Sequence, residues 1–290
     1  MEKSDLVADL IAAPDPLPDP LNRNEVDGGS FVVLPDAPPF PFKPNDAAPK
    51  GQVVESTISS KVLGADVQLK VYLPAGHSMK GRRPWLLVAF DGGFHDMAPV
   101  LDDLIASKKV PPIVVVGVVN RQGMRTKDLG YSEPFARFVA DELLSFARKR
   151  FHAATSRART IIGGQSRGGG MAAFVGLRHS ALFGNVLCVS TAIENEPGTF
   201  PPTRFWLRGD DGWIVARYLE KPRLPLRFFV AAGRFDTSLW TDRLVNNRRF
   251  RDTLRGRGYP VTYFESFGGH DSLFFQLAFS EGLTALTGAK

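Results

Sequence analysis

From Gln52 onward, short runs of β-branched and apolar residues alternate with stretches of helical periodicity, the pattern of a mostly parallel sheet covered by helices. The runs predict eight strands: Val53–Ile58, Val67–Leu73, Trp85–Phe90, Ile113–Val119, Thr160–Gly163, Val186–Ser190, Arg227–Ala231 and Thr262–Glu265. The first two alternate polar and apolar positions around Gly64, which predicts an antiparallel hairpin. The later runs are continuously apolar, as strands buried on both faces should be. Helices are expected at about 97–107, 133–150, 167–178, 241–256 and 271–285. In the second, Phe135, Phe138, Val139, Leu143 and Phe146 recur at three- and four-residue spacing; in the fourth, Leu244, Phe250 and Leu254 do so before Gly256 and Gly258. Residues 191–225 show neither period and predict an irregular cap over the sheet, the kind of segment that carries specificity.

The first fifty residues break the pattern. Pro14, Pro16, Pro18, Pro20, Pro35, Pro38, Pro39, Pro41 and Pro44 interrupt any helix or ladder, so residues 1–50 are expected to form an extended arm ahead of one catalytic domain at 51–290. Phe31 to Leu34, Phe40 and Phe42 give the arm apolar side chains to pack, which allows a homodimer in which it lies on a neighbouring copy.

Composition changes this picture little. The chain has 290 residues, 43% hydrophobic and 23% charged, a globular balance. The net charge of +6 comes from dispersed arginines and could attract an anionic ligand. Neither zinc-ligand spacing nor basic-aromatic interleaving is present, which argues against a nucleic-acid partner. No run reaches the roughly 20 apolar residues of a membrane span. The N-terminus, with acids mixed through it, lacks the layout of a secretory signal, so a cytoplasmic protein is expected. The lone cysteine, Cys188, lies in an apolar run and reads as a buried small hydrophobe.

The chemistry concentrates at Gly164-Gln165-Ser166-Arg167-Gly168, between a predicted strand and a predicted helix. A strand-to-helix turn with flanking glycines lifts a serine hydroxyl above the sheet, the nucleophile elbow of the α/β-hydrolase fold. That fold orders its triad as serine, acid, histidine. His270 in Gly268-Gly269-His270-Asp271 is the candidate base, because His77, His152 and His179 precede the required place or sit too near the serine. Asp236, just past the penultimate strand, is the candidate acid; its alternative role is to cap the helix near 241, and Asp242 and Asp271 are the substitutes. The oxyanion is expected on the amides of Arg167 and of Gly93, with Gly92 close behind, in the loop Phe90-Asp91-Gly92-Gly93-Phe94. His95 in that loop is a candidate substrate contact. Such chemistry requires no metal or organic cofactor.

Several segments, in order, resemble the enterochelin (enterobactin) esterase family, among the esterase D-like α/β-hydrolases. They are Asp19-Pro20-Leu21-Asn22, Leu34-Pro35-Asp36-Ala37-Pro38-Pro39, Phe90-Asp91-Gly92, Arg125-Thr126-Lys127-Asp128-Leu129, Gly164-Gln165-Ser166, Gly233 with the acid after it, and Gly268-Gly269-His270-Asp271. The resemblance implies a serine esterase acting on a trilactone siderophore, with a ferric siderophore as partner molecule. It also implies an arm like the tail of the family's N-terminal domain. Asp236 stands where the family often has Glu, and Arg167 is unusual after the nucleophile. Arg125 matches the family's R-x-x-[ED]-L arginine; with Arg121 and Arg167 it could form a cationic rim for catecholates. The alternatives are a carbohydrate or feruloyl esterase, an acyltransferase similar to the mycolyltransferases, and a noncatalytic binding protein for an anionic ligand.

Overall fold

The computed structural model describes residues 20–21, 25–26, 29–30, 45, 47–91, 97–193, 197, 212–238 and 241–288. Contacts divide the chain into residues 1–41 and 42–290. In the first unit the described backbone is a two-residue antiparallel ladder, Glu25–Val26 with Gly29–Ser30.

The second unit is built on an eight-stranded sheet. Its strands are β1 (Gln52–Ser60), β2 (Ala65–Leu73), β3 (Trp85–Phe90), β4 (Ile113–Val118), β5 (Thr160–Gln165), β6 (Asn185–Val189), β7 (Arg227–Gly233) and β8 (Val261–Ser266). They lie in the order β8-β7-β6-β5-β3-β4-β2-β1. β3 to β8 are mutually parallel, while β2 runs antiparallel to both β1 and β4. All eight predicted strands are present within a few residues of their expected ends.

The expected hairpin turns where expected, through Gly64 at φ +61°. Glu142 holds that turn from a distance, accepting from the Ser60 hydroxyl at 2.5 Å and from the Lys61 and Val62 amides.

Among the described residues, six longer helices cover the sheet. They are α1 (Ala98–Ala106), α2 (Glu133–Arg137, continuing through a π-helical stretch at Phe138–Leu143 into Leu144–Arg150), α3 (Arg167–Arg178), α4 (Trp213–Glu220), α5 (Arg243–Gly256) and α6 (Ser272–Thr287). Alternation along each strand sends side chains to two cores. Leu86, Val88 and Phe90 of β3 join residues of α2, α3, α4 and α5, while Leu87 and Ala89 join those of α1 and α6. Each fully buried Leu or Phe contributes roughly 1.5–3 kcal/mol, so two cores of this size fix the central strands firmly.

Among the described part of the expected irregular cap, one segment corrects the prediction. Trp213–Glu220 is a helix whose Ile214, Val215 and Tyr218 are buried, with the Tyr218 hydroxyl donating to the Ala173 carbonyl at 2.7 Å. Its β-branched and aromatic residues have weak helix propensity, and packing supplies what propensity does not. Trp213 stacks on Tyr131 with ring centroids 4.9 Å apart. No helix among the described residues is long and apolar enough to cross a membrane.

Candidate active site

The site grows from the passage between β5 and α3. Ser166 joins them with φ +53° and ψ −123°, a strained backbone for a non-glycine residue, and is held there on both sides. Its N–H donates to the Val189 carbonyl at 3.0 Å, and its carbonyl accepts from the Ala192 amide at 2.9 Å. The flanking glycines are required by space. A Cβ on Gly164 would lie 2.4 Å from the Gly168 carbonyl carbon, and one on Gly168 would lie 2.5 Å from the Phe90 carbonyl oxygen. Ser166 therefore sits at the N-terminus of the twelve-residue α3, whose first turn carries no acid of its own, so the positive end of the helix dipole lies beside Ser166. Ser166 keeps 8% of its surface exposed.

The other two predicted residues come from the ends of β7 and β8. The turn after β7 places Asp236 in full burial, and the loop after β8 brings His270 to it, Nδ1 to Oδ1 at 3.1 Å. These loops interlock. The Phe235 amide donates to the Gly268 carbonyl, and a Cβ on Gly233 would lie 2.3 Å from that same oxygen. Arg243 Nη1 lies 3.7 Å from Asp236 Oδ1, so a guanidinium also stands beside the buried carboxylate. The His270 ring packs edge-on against Phe275, centroids 5.0 Å apart.

Asp236 and His270 are thus in contact. Among the hydrogen bonds between described residues, none joins Ser166 to His270; both stand beyond the carboxyl ends of parallel strands, where α/β sheets place their ligands.

The substitute acids are otherwise engaged. Asp242 caps α5 by accepting from the Val245 amide at 3.1 Å, so that helix does not need Asp236 as its cap. Asp271 caps α6 through Phe274 N–H and also accepts from Gly269 N–H. His77 and His152 lie in the segments that enter β3 and β5, at the opposite edge of the sheet from Ser166, and His179 terminates α3. Burial pushes the Cys188 thiol up to about 12, which removes it as a rival nucleophile.

The expected cationic rim takes a different form. Arg121 makes a bidentate pair with Asp128 at 2.6 and 2.8 Å, and its side chain is largely buried. Arg167 is buried as well. Arg125 remains 43% exposed but directs Nε and Nη2 onto Asp91, which also accepts from Asn120. A Cβ on Gly168 would lie 2.7 Å from the Asp91 Cβ, so Arg125 braces the strand end against the elbow. Gly92, Gly93 and His95 lie outside the described residues. Asn247, which no sequence motif marked, proves to be fully buried beside the site. A polar residue at one of the inward positions of α5 was its only signal.

Residues 60–286 match the Esterase family model. The chain is 25% identical over 242 residues to the iron(III) salmochelin esterase of Escherichia coli O6:H1 (strain CFT073), a match covering 78% of this chain and 56% of that protein. It therefore spans little more than half of that relative's length. The enterobactin esterase of Shigella flexneri, crystallised in the presence of 2,3-dihydroxy-N-benzoyl-serine, superposes with a TM-score of 0.74 at 24% identity, over 92% of this chain and 69% of that one. A ferulic acid esterase superposes with a TM-score of 0.68 at 23% identity, over 83% and 98%. Both likenesses show the α/β-hydrolase fold.

Proposed function

The chain belongs to the Esterase family, and from that premise we propose that it hydrolyses carboxylic esters through an acyl-enzyme on Ser166. The observation that carries this reading is the Asp236–His270 contact, formed by two interlocked loops on the same edge of the sheet as a strained serine at a helix N-terminus. Asp236 accepts a hydrogen bond from Nδ1–H of His270, a tautomer that leaves Nε2 with a lone pair to take the hydroxyl proton of Ser166. Attack on the ester carbonyl forms the Ser166 Oγ–C bond and places the electron pair on the carbonyl oxygen. The amides of Arg167 and Gly93 are the donors assigned to that oxyanion. Collapse breaks the C–O bond, the alcohol leaves with the proton from His270, and water then repeats the sequence to release the acid.

For the substrate we propose a trilactone siderophore of the enterobactin type, supported by the salmochelin esterase relative. A second reading, a feruloyl-type ester, is supported by the superposition on the ferulic acid esterase at a TM-score of 0.68. Mass-spectrometric product analysis with ferric and apo enterobactin, beside acetyl and feruloyl esters, separates them. Ser166→Ala should abolish turnover of nitrophenyl butyrate, and retention of near-normal activity would refute the assignment.

A further inference from the structure

Beyond β6 the chain leaves the sheet through Ser190, Thr191 and Ala192, all buried and none in a strand. This short segment is the wall on which the elbow rests. The Ala192 amide donates to the Ser166 carbonyl at 2.9 Å. A Cβ on Gly169 would lie 2.7 Å from Thr191 Oγ1. Ser190 itself holds φ +44°, a strained conformation for a non-glycine residue that persists only where its surroundings over-determine it.

Asn247 of α5 supplies much of that determination. Its Oδ1 accepts from the Thr191 amide at 3.1 Å, while Nδ2 donates to the Thr191 carbonyl at 3.0 Å and to the Arg243 carbonyl at 2.8 Å. Two carbonyls on one side and one N–H on the other fix which way the amide faces. A carboxamide presents a donor and an acceptor together, so it engages both halves of one residue's backbone as a neighbouring strand would. The same α5 residue whose carbonyl it grips, Arg243, also faces Asp236.

We propose that Asn247 is a positioning residue for catalysis, holding Thr191 so that the Ser166 elbow and the Asp236 side of the site keep their register. This rests on Ser166 as nucleophile. Asn185 supplies an internal control. It is equally buried at the other end of β6, donating to the Ala158 and Thr160 carbonyls and accepting from Arg227, far from the elbow.

The test compares the full chain with N247S, N247D and N185S by nitrophenyl butyrate kinetics, fluorophosphonate labelling rate and melting temperature, each normalised to folded protein. Misplacement by about 1 Å can cost 10²-fold, so N247S is expected to lose roughly 10–100-fold in kcat and in labelling rate with KM nearly unchanged. N247D retains the acceptor for Thr191 N–H but turns a carboxylate oxygen onto the Thr191 and Arg243 carbonyls, so its loss should be at least that of N247S. N185S should melt earlier yet keep wild-type kcat. Wild-type kcat in folded N247S, or equal proportional losses in N185S and N247S, overturns the proposal; if N247S does not fold, an unchanged labelling rate in N247D does so. Failure of the wild-type chain to label, or labelling of Ser166→Ala, would instead sink the nucleophile assignment.

Discussion

Gly168→Ala places one methyl group where the elbow meets the end of β3. The new Cβ would lie 2.5 Å from the Phe90 carbonyl oxygen, 2.7 Å from Asp91 Cβ and 2.8 Å from the Phe90 carbonyl carbon. These atoms cannot retreat easily, because Phe90 is paired to Val118 on one side and to Gly164 on the other. Overpacking of this kind costs about 1–3 kcal/mol, and the worst contacts here are with backbone, which points to the upper part of that range. Alanine recovers about 0.5–1 kcal/mol of helix propensity in α3. A net loss of about 2 kcal/mol should lower the melting temperature by roughly 4–8 °C. Gly256→Ala is the companion: at the exposed end of α5 its Cβ meets nothing within 4 Å, so the same change should raise the melting temperature by about 1–3 °C. Thermal unfolding followed by circular dichroism measures both. Equal melting temperatures for the two variants would refute the steric account of the elbow.

Three further outcomes are expected. Asp236→Asn keeps the shape of the acid but favours the wrong imidazole tautomer, and kcat for nitrophenyl butyrate should fall by about 10³–10⁴-fold, with little change in folding measured by circular dichroism. Asp102→Ala removes the carboxylate that accepts from Gly51 N–H at 2.8 Å and from the Tyr72 hydroxyl at 2.7 Å; leaving buried donors unmade should cost about 2–4 kcal/mol in urea titration. The Arg248 guanidinium holds the Glu265 carboxyl below its usual range, with Tyr263 and Arg234 also facing it. A depressed folded-state value means stabilisation that is present above about pH 4.5 and disappears as pH falls through the folded value. Glu265→Gln should therefore melt below wild type at pH 7, and the gap should close toward pH 3; a gap that stays constant removes Glu265 as its source.

The candidate site was legible where such chemistry would ask for particular residues at particular spacing. A G-x-S-x-G turn between strand and helix, an acid past the penultimate strand and a histidine on a glycine loop are local signals, and the structure joins the second and third. The arginines were not legible in the same way. Whether Arg121 and Arg125 face solvent or a carboxylate depends on where Asp128 and Asp91 stand, and Asp91 is 34 residues away from Arg125 in the chain.

The chain alone determined the order of the eight strands and of five of the six longer described helices, because alternation and three-to-four spacing are properties of neighbouring residues. Tertiary structure decided what depends on residues distant in sequence. It made a helix of Trp213–Glu220 by offering Tyr131 to stack on and Phe174 to pack against, and it turned Asn247 into a clamp by setting α5 against the end of β6. Local periodicity can reveal which face of an element is buried, but a buried polar group acquires its meaning only from the partner that folding brings to it.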